Sequence, residues 1–462
     1  MVTVWWDSIM YKYLSLVNEL EKMIQTNQYK AGEKLPSIRD LSKRYQCSLN
    51  TVIKAFQKLE RQDMVFTIPQ SGYYVVQKRF DITTKNKSEE LNFVSSAPSW
   101  SVFPYLDFQH SLNKAIDTYR QELFNYGTPK GLPSLIKVVQ KQLATYQVFT
   151  KQENIFITSG VQQALAILNT LPFPNHKTKI LVEQPSYHLF LEYLQVYNIP
   201  AVGIARTVNG IDLVELERIF RDEEIKFFYT MPRFHNPLGT SYSQKEKIAI
   251  VKLAAKYNVY IVEDDYLADY EQNSKIDPLH TYDRDDKVIY LKSYSKIMFP
   301  GLRVGVVVLP KDLVEKFQQY KKIADIDSSM ISQAALEIYI KSGMFERHKR
   351  KICSRYLLRA KLLYESLAKY SNETLDIEKI TMPSSFCMHT HIVLPEHINS
   401  NQLLRNLKRQ GVLVELAKAN YLESFPSSKL LKLNVSSVDE SKIEEGVKKI
   451  VKEINSACRK KF

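Results

Sequence analysis

Cysteine is scarce in this chain, with four among 462 residues. Cys47, Cys353, Cys387 and Cys458 lie far apart, with no Cys-x-x-Cys pair and no histidine at metal spacing. This argues against a disulfide framework or a zinc module and predicts reduced thiols and no metal site. Long hydrophobic runs are missing as well. No stretch approaches the roughly 18 uninterrupted apolar residues that a membrane span needs. The start, Met1-Val2-Thr3-Val4-Trp5-Trp6-Asp7, lacks the basic segment and apolar stretch of a secretory leader. The expected location is the cytoplasm, with no membrane partner. Foldable material, by contrast, is plentiful. A hydrophobic content of 44% supports a sizeable core, and at about 100–200 residues per domain the length predicts two to four domains. Lys and Arg number 64 against 50 Asp and Glu, a net charge of +14.

Position gives that charge a meaning. Between Lys30 and Arg61 eight basic residues face three acidic ones, a local surplus of five. Beneath it runs a helical pattern. Ile9, Tyr13, Leu16, Val17, Leu20, Met23 and Ile24 recur at the spacing of one amphipathic helix. Ser37 can cap a second helix with Ile38, Leu41 and Tyr45 inward. After the break Gln46-Cys47-Ser48, a third begins near Leu49 or Asn50 with Val52, Ile53, Phe56 and Leu59 inward. Two short helices joined by such a turn form a helix-turn-helix, whose second helix presents its N-terminal residues to DNA base edges. Here these are Ser48, Asn50, Thr51 and Lys54. Two β-rich runs, Val65–Ile68 and Tyr73–Val76, flank the turn Pro69-Gln70-Ser71-Gly72 and predict a hairpin wing. The segments Gly32-Glu33-Lys34-Leu35-Pro36-Ser37-Ile38-Arg39, Cys47-Ser48-Leu49-Asn50-Thr51-Val52 and Ser71-Gly72-Tyr73-Tyr74-Val75 resemble the GntR-type winged helix over about residues 9–77. That resemblance implies a double-stranded DNA operator as partner, touched by Arg39, Ser48, Asn50, Thr51 and Gly72. Leu49 stands where that family usually has Arg, which would alter operator preference. The polar run from Lys78 to Glu90 reads as a linker.

From residue 91 to 462 predicted strands alternate with helices, so the fold class is α/β with a mostly parallel sheet. The strands are Ile155–Thr158, Lys179–Glu183, Phe227–Thr230, Tyr260–Asp264, Val288–Leu291 and Val304–Leu309. Ligands in such sheets bind beyond the carboxyl ends of the strands, and there the polar residues gather. Ser159-Gly160-Val161-Gln162 opens a helix whose N–H groups suit an anion. Pro185-Ser186-Tyr187 brings a ring, and His235-Asn236-Pro237-Leu238-Gly239 an amide. Glu263-Asp264-Asp265-Tyr266 sets acids and a phenol at a strand end. Ser293-Tyr294-Ser295-Lys296 and Arg303 add hydroxyls and two cations.

Pyridoxal 5'-phosphate needs such a set: a lysine for the Schiff base, an acid on the pyridine nitrogen, donors at the ring hydroxyl and a phosphate cup. The six elements, in this order, resemble the fold-type I aminotransferases over about residues 92–455. By that resemblance Lys296 is the Schiff-base lysine, Asp264 the partner of the pyridine nitrogen, and Asn236 and Tyr266 the donors to the ring oxygen. Tyr187 stacks on the ring. Ser159, Gly160, Val161, Gln162, Ser293, Ser295 and Arg303 complete the cofactor-binding set. The resemblance also implies a large lobe at about 125–320 and a C-terminal α+β lobe from about 345.

A GntR-type winged helix joined to an aminotransferase-like domain is the organisation of the MocR/GabR regulators, which both halves resemble. Tyr126-Gly127-Thr128-Pro129-Lys130-Gly131 and Gly343-Met344-Phe345-Glu346-Arg347-His348 extend the likeness. The family implies a homodimer whose effector is pyridoxal phosphate or its adduct with an amino compound. Two departures bear on catalysis. Lys432, in Leu430-Leu431-Lys432-Leu433-Asn434, stands where transaminases carry an Arg for the substrate carboxylate, and a lysine lacks the bidentate fork. Leu189 stands where some relatives carry another Arg. Two readings remain at this point: a cofactor-dependent transcription regulator with at most partial transamination chemistry, or an active aminotransferase with an attached DNA-binding domain.

Overall fold

Apolar periodicity in the first sixty residues closes a small core of its own. The computed structural model describes residues 2–26, 28–30, 32–61, 64–68, 72–75, 90–98, 103–271, 273, 276–371 and 386–459, in two compact units, Met1–Glu89 and Glu90–Phe462. In the first, α1 (Val2–Gln25), α2 (Ile38–Arg44) and α3 (Leu49–Arg61) are followed by the antiparallel pair β1 (Val65–Ile68) and β2 (Gly72–Val75). Leu16, Val17, Leu20, Leu41, Val52, Ala55, Phe56 and Leu59 are buried together. Ile38, Tyr45 and Ile53, expected inside, are only half-buried, while Ala55 is fully enclosed. The side chain of Ile9, the wing turn 69–71 and linker residues 78–89 lie outside the described residues.

The second unit opens with β3 (Leu91–Asn92), α4 (Tyr105–Thr118) and α5 (Pro133–Thr145). Its main sheet is then assembled from β4 (Ile155–Thr158), α6 (Val161–Thr170), β5 (Lys179–Gln184), α7 (His188–Val196), β6 (Ala201–Thr207), β7 (Gly210–Ile211), α8 (Leu213–Asp222), β8 (Ile225–Thr230), α9 (Gln244–Lys256), β9 (Tyr260–Asp264), β10 (Val288–Ser293) and β11 (Gly305–Val308). The strand order is β4-β11-β10-β9-β8-β5-β6-β7. From β10 to β6 the pairs are parallel, whereas β11 runs antiparallel between β10 and β4. The six expected strands are all present. Strands β6 and β7 were not anticipated, because Gly203 and Arg206 interrupt an apolar run.

Topology sets the site here. The carboxyl ends of β4, β8, β9 and β10 and the amino end of β11 share one sheet edge, so residues 159–160, 231–236, 264–266, 293–296 and 303 converge from five segments. The remaining elements are α10 (Lys311–Asp325), α11 (Met330–Lys341), α12 (Met344–Ser371), β12 (His389–Val393), α13 (Ser400–Arg409), β13 (Val412–Leu413), β14 (Glu415–Leu416), β15 (Leu430–Asn434) and α14 (Ile443–Arg459). They include an antiparallel sheet ordered β12-β15-β14, and β13 pairs with β3. One core cluster runs from Ile157 and Tyr290 in the main sheet to Leu431 and Leu433 in the smaller one, so the two sheets share a packed interior. Among the described residues no helix is long and apolar enough to cross a membrane.

Phe56 is fully buried and stacks on Tyr73 with ring centroids 4.0 Å apart. Phe56→Ala is expected to cost the N-terminal unit about 3–5 kcal/mol, read as a lowered calorimetric transition for that unit while the transition of the larger unit stays in place.

Candidate functional site

A cavity of about 320 Å³ lies at the shared sheet edge. Of the twelve residues expected at a cofactor, ten line it: Val161, Gln162, Tyr187, Asn236, Asp264, Tyr266, Ser293, Ser295, Lys296 and Arg303. The other two lie just behind. The Ser159 carbonyl accepts from Arg303 Nη2 at 2.9 Å, and its hydroxyl is 3.5 Å from Asp325. Gly160, at φ +82°, caps α6, and a Cβ there would sit 2.6 Å from Arg303 Nη2. Only a glycine lets that guanidinium and the first N–H groups of α6 share one cup.

Strand alternation sorts the acids around Asp264. Glu263 accepts from the backbone N–H groups of Leu279 and His280 at 2.7 and 2.9 Å. Asp265 is paired with buried Arg233 and accepts from Tyr290. Asp264 alone turns to the cavity. It is 4% exposed, and its Oδ2 accepts from the Tyr229 hydroxyl at 2.7 Å. Its Oδ1 is buried, with no hydrogen-bond partner among the described residues. Burial pushes the carboxyl up to about 7, against the Tyr229 hydrogen bond, which lowers it. Lys296 donates to the Ser96 carbonyl and hydroxyl at 2.8 and 2.7 Å, and burial brings its ammonium down to about 8. The Tyr266 hydroxyl donates to the Phe234 carbonyl at 2.9 Å.

A second cavity of about 270 Å³ adjoins the first, sharing Ser96, His188, Asn236, Tyr266 and Lys296 with it. Lys432 lines it, but its charge is already matched: Nζ lies 2.6 Å from Glu415 and donates to Asn420 Oδ1 at 3.1 Å. Leu189 lines the first cavity. Sequence reasoning missed Ser96, Tyr229, His188, His389 and Glu415. Tyr229 sits in the run Phe227-Phe228-Tyr229-Thr230, where a packing aromatic and a functional one look alike. Ser96 lies far from every motif, and only its hydrogen bond with Lys296 marks it.

In the N-terminal unit the six residues expected at DNA divide by exposure. Arg39, Ser48, Asn50 and Lys54 are exposed, as is Leu49, and Gly72 is half-buried. Thr51 is turned inward at 7% exposure, with its hydroxyl 2.8 Å from that of Ser48 and its N–H donating to the same oxygen at 3.1 Å. It thus belongs to the cap that starts α3, and the surface its neighbours leave open is polar and basic apart from Leu49.

The Asp264 carboxyl is held well above its unfolded value of about 4. Without a ligand, therefore, the folded state binds more protons than the unfolded one between about pH 4 and 7, and this contribution to stability is lost as pH rises through the folded pKa. Asp264→Asn is expected to remove that downward slope, measured as the difference in denaturant midpoint between the variant and the parent chain across the same window.

Comparison with known proteins agrees with both halves. Residues 12–75 match the family described as bacterial regulatory proteins, gntR family, and residues 99–450 match aminotransferase class I and II. A Bacillus subtilis (strain 168) protein described as an uncharacterized HTH-type transcriptional regulator, YcxD, is 54% identical over 444 residues, 95% of this chain and 99% of its own. Aromatic-amino-acid aminotransferase 1 of Thermococcus litoralis is 26% identical, covering 81% of this chain and 90% of its own. The crystal structure of Pyrococcus horikoshii kynurenine aminotransferase superposes with a TM-score of 0.72 at 27% identity, covering 80% and 92%. The cofactor of this fold is pyridoxal 5'-phosphate. The residues present fit it: a buried carboxylate oxygen lacks a partner where a protonated ring nitrogen needs one, and a glycine cup backed by Arg303 suits a phosphate. With a gntR-family reader and an aminotransferase class I and II domain in one chain, and a 54% identical regulator matched along its length, the protein belongs to the MocR-type transcriptional regulators.

Proposed function

We propose that the protein regulates transcription by sensing pyridoxal phosphate, or its adduct with an amino compound, through the cavity beside Asp264 and Lys296. The observation that carries this reading is the pairing, in one chain, of an exposed basic recognition helix with a cavity that keeps Lys296 and an unpartnered Asp264 oxygen. The domains of the reading are the winged helix at 9–77, the linker at 78–90 and an effector domain at 91–462, whose large lobe covers about 125–320 and small lobe begins near 345. The working form is a cytoplasmic homodimer. Phe124, Tyr126 and Ile323 are 92%, 83% and 86% exposed. The Gly127 N–H donates to Asp327 at 2.6 Å, which ties the segment carrying Phe124 and Tyr126 to the chain that follows α10. Exposed apolar side chains of this kind suit a second copy.

Bound pyridoxal phosphate supplies an aldehyde carbon that condenses with amines and a ring that withdraws electrons. The protein's part is to hold it. Asp264, fixed by Tyr229, keeps a proton at the ring nitrogen. Arg303, Ser293, Ser295 and the start of α6 bind the phosphate. Tyr187 would cover the ring, and Asn236 and Tyr266 would serve its hydroxyl. Lys296, with its pKa brought down to about 8 by burial, has a larger neutral fraction near physiological pH than an ordinary lysine. An effector alters DNA binding to the extent that it favours one of two dimer states over the other.

The second reading, a working aminotransferase, is favoured by the same lysine and aspartate and requires some amino compound to convert the bound cofactor to its amine form. The visible absorbance of the loaded chain decides: conversion by an amine donor supports turnover, and a screen without conversion leaves sensing. Lys296→Ala is expected to abolish the covalent link, so borohydride reduction followed by mass spectrometry should mark the Lys296 peptide in the parent chain alone. For DNA, Arg39→Ala with Lys54→Ala is expected to weaken operator binding and to lower the salt dependence by about one unit of slope for each DNA phosphate that is no longer neutralised. Unchanged affinity in gel-shift titrations would remove the recognition helix from the assignment.

A further inference from the structure

The second cavity is poorly equipped to hold a carboxylate. Its cation, Lys432, stands directly opposite Glu415 in the β14–β15 ladder, with Nζ and Oε1 2.6 Å apart. The ammonium is also anchored to Asn420, a fully buried residue whose own amide is fixed on the Ser186 carbonyl at 2.6 Å. The pair is therefore built into the sheet, and an incoming carboxylate would meet the Glu415 anion beside the charge it seeks. Lys296 also lines this cavity, but on the cofactor reading its nitrogen is committed to the cofactor, and no further cation replaces Lys432. Arg303 lines the first cavity but not the second and donates to the Ser159 carbonyl, and among the described residues no other arginine lines either cavity. Burial holds His389 near 4, so it is uncharged near neutral pH, and burial with the nearby Lys432 charge lowers His188, which disfavours its charged form. Phe93, Pro237, Leu267 and Met388 supply apolar wall.

We infer that the effector is a primary amine bearing no carboxylate, with the Glu415–Lys432 pair acting as the element that rejects amino acids. This rests on the cofactor reading of the first cavity. The amine nitrogen replaces the Lys296 nitrogen on the cofactor's carbonyl carbon, and Lys296 leaves as a free amine. The exchange needs no oxidant or reductant. The uncharged body of the amine then lies in the second cavity, where the ion pair offers it one donor and one acceptor.

The test is a spectral titration of the full chain loaded with pyridoxal phosphate, using matched probes: 2-phenylethylamine against phenylalanine, 3-methylbutylamine against leucine, ethanolamine against serine. Each amine is expected to bind at least about tenfold tighter than its amino acid, the factor that one unmatched charge commonly commands. Glu415→Gln frees Lys432 and is expected to narrow that gap by about tenfold through a gain for the amino acids. Amino acids that match or exceed their amines in the parent chain overturn the inference without any variant being needed. A gap unmoved by Glu415→Gln, in a variant that still carries the cofactor's visible band, overturns the role of the pair. If the parent chain never acquires that band, the cofactor reading itself fails, which is a distinct result.

Discussion

A carboxyl group removed from water at the end of a sheet costs several kcal/mol unless something repays its lost hydration. Asp264 is such a group, and much of the surrounding structure can be understood from how it is kept. One oxygen is bound by Tyr229 from the neighbouring strand. The other has no hydrogen-bond partner among the described residues. The main chain cannot relax to cover it, because β9 lies between β8 and β10 in a sheet buried on both faces. A half-satisfied buried acid is retained where a ligand completes it, and the protonated ring nitrogen of pyridoxal phosphate is a group of the right kind.

The neighbouring charges follow a different rule. Glu263 and Asp265 point to the other side of the strand, where backbone N–H groups and Arg233 satisfy them, so three successive acids do not become a cluster of like charge. Lys296 is not paired with any of them. It rests on Ser96, a neutral partner that leaves the amine free to lose its proton. The second cavity reverses this arrangement, since its cation is paired and thereby muted. One cavity thus keeps reactive groups unneutralised while its neighbour neutralises the group that would bind a substrate carboxylate. That contrast fits recognition better than rapid turnover of amino acids.

Much of this could be read from residues. The strands carrying the site are apolar runs bounded by polar turns, and five of the motifs sit at their ends, where a parallel sheet places ligands. The winged helix was legible because its inward residues keep helical spacing through α1, α2 and α3. Legibility failed where identity does not determine direction. Thr51 has the residue type of a base-contacting side chain, yet its hydroxyl turns back to Ser48. Tyr229 resembles its aromatic neighbours in β8 until the alternation of the strand is fixed. Glu415 is one of 50 acidic residues and acquires meaning only through its cross-strand partner.

By itself the sequence determined the fold class and the two-part organisation and, through its resemblance, the cofactor, and it named most of the residues that line the first cavity, because periodicity and local motifs are properties of neighbours along the chain. Tertiary structure decided which oxygen of Asp264 is left open, that Ser96 holds Lys296, and that Lys432 is already paired. Ser96 lies 200 positions from Lys296, and Glu415 and Lys432 meet only once β14 and β15 are in register. Such pairings follow from how strands are ordered and aligned, and the short-range pattern of a chain does not encode them.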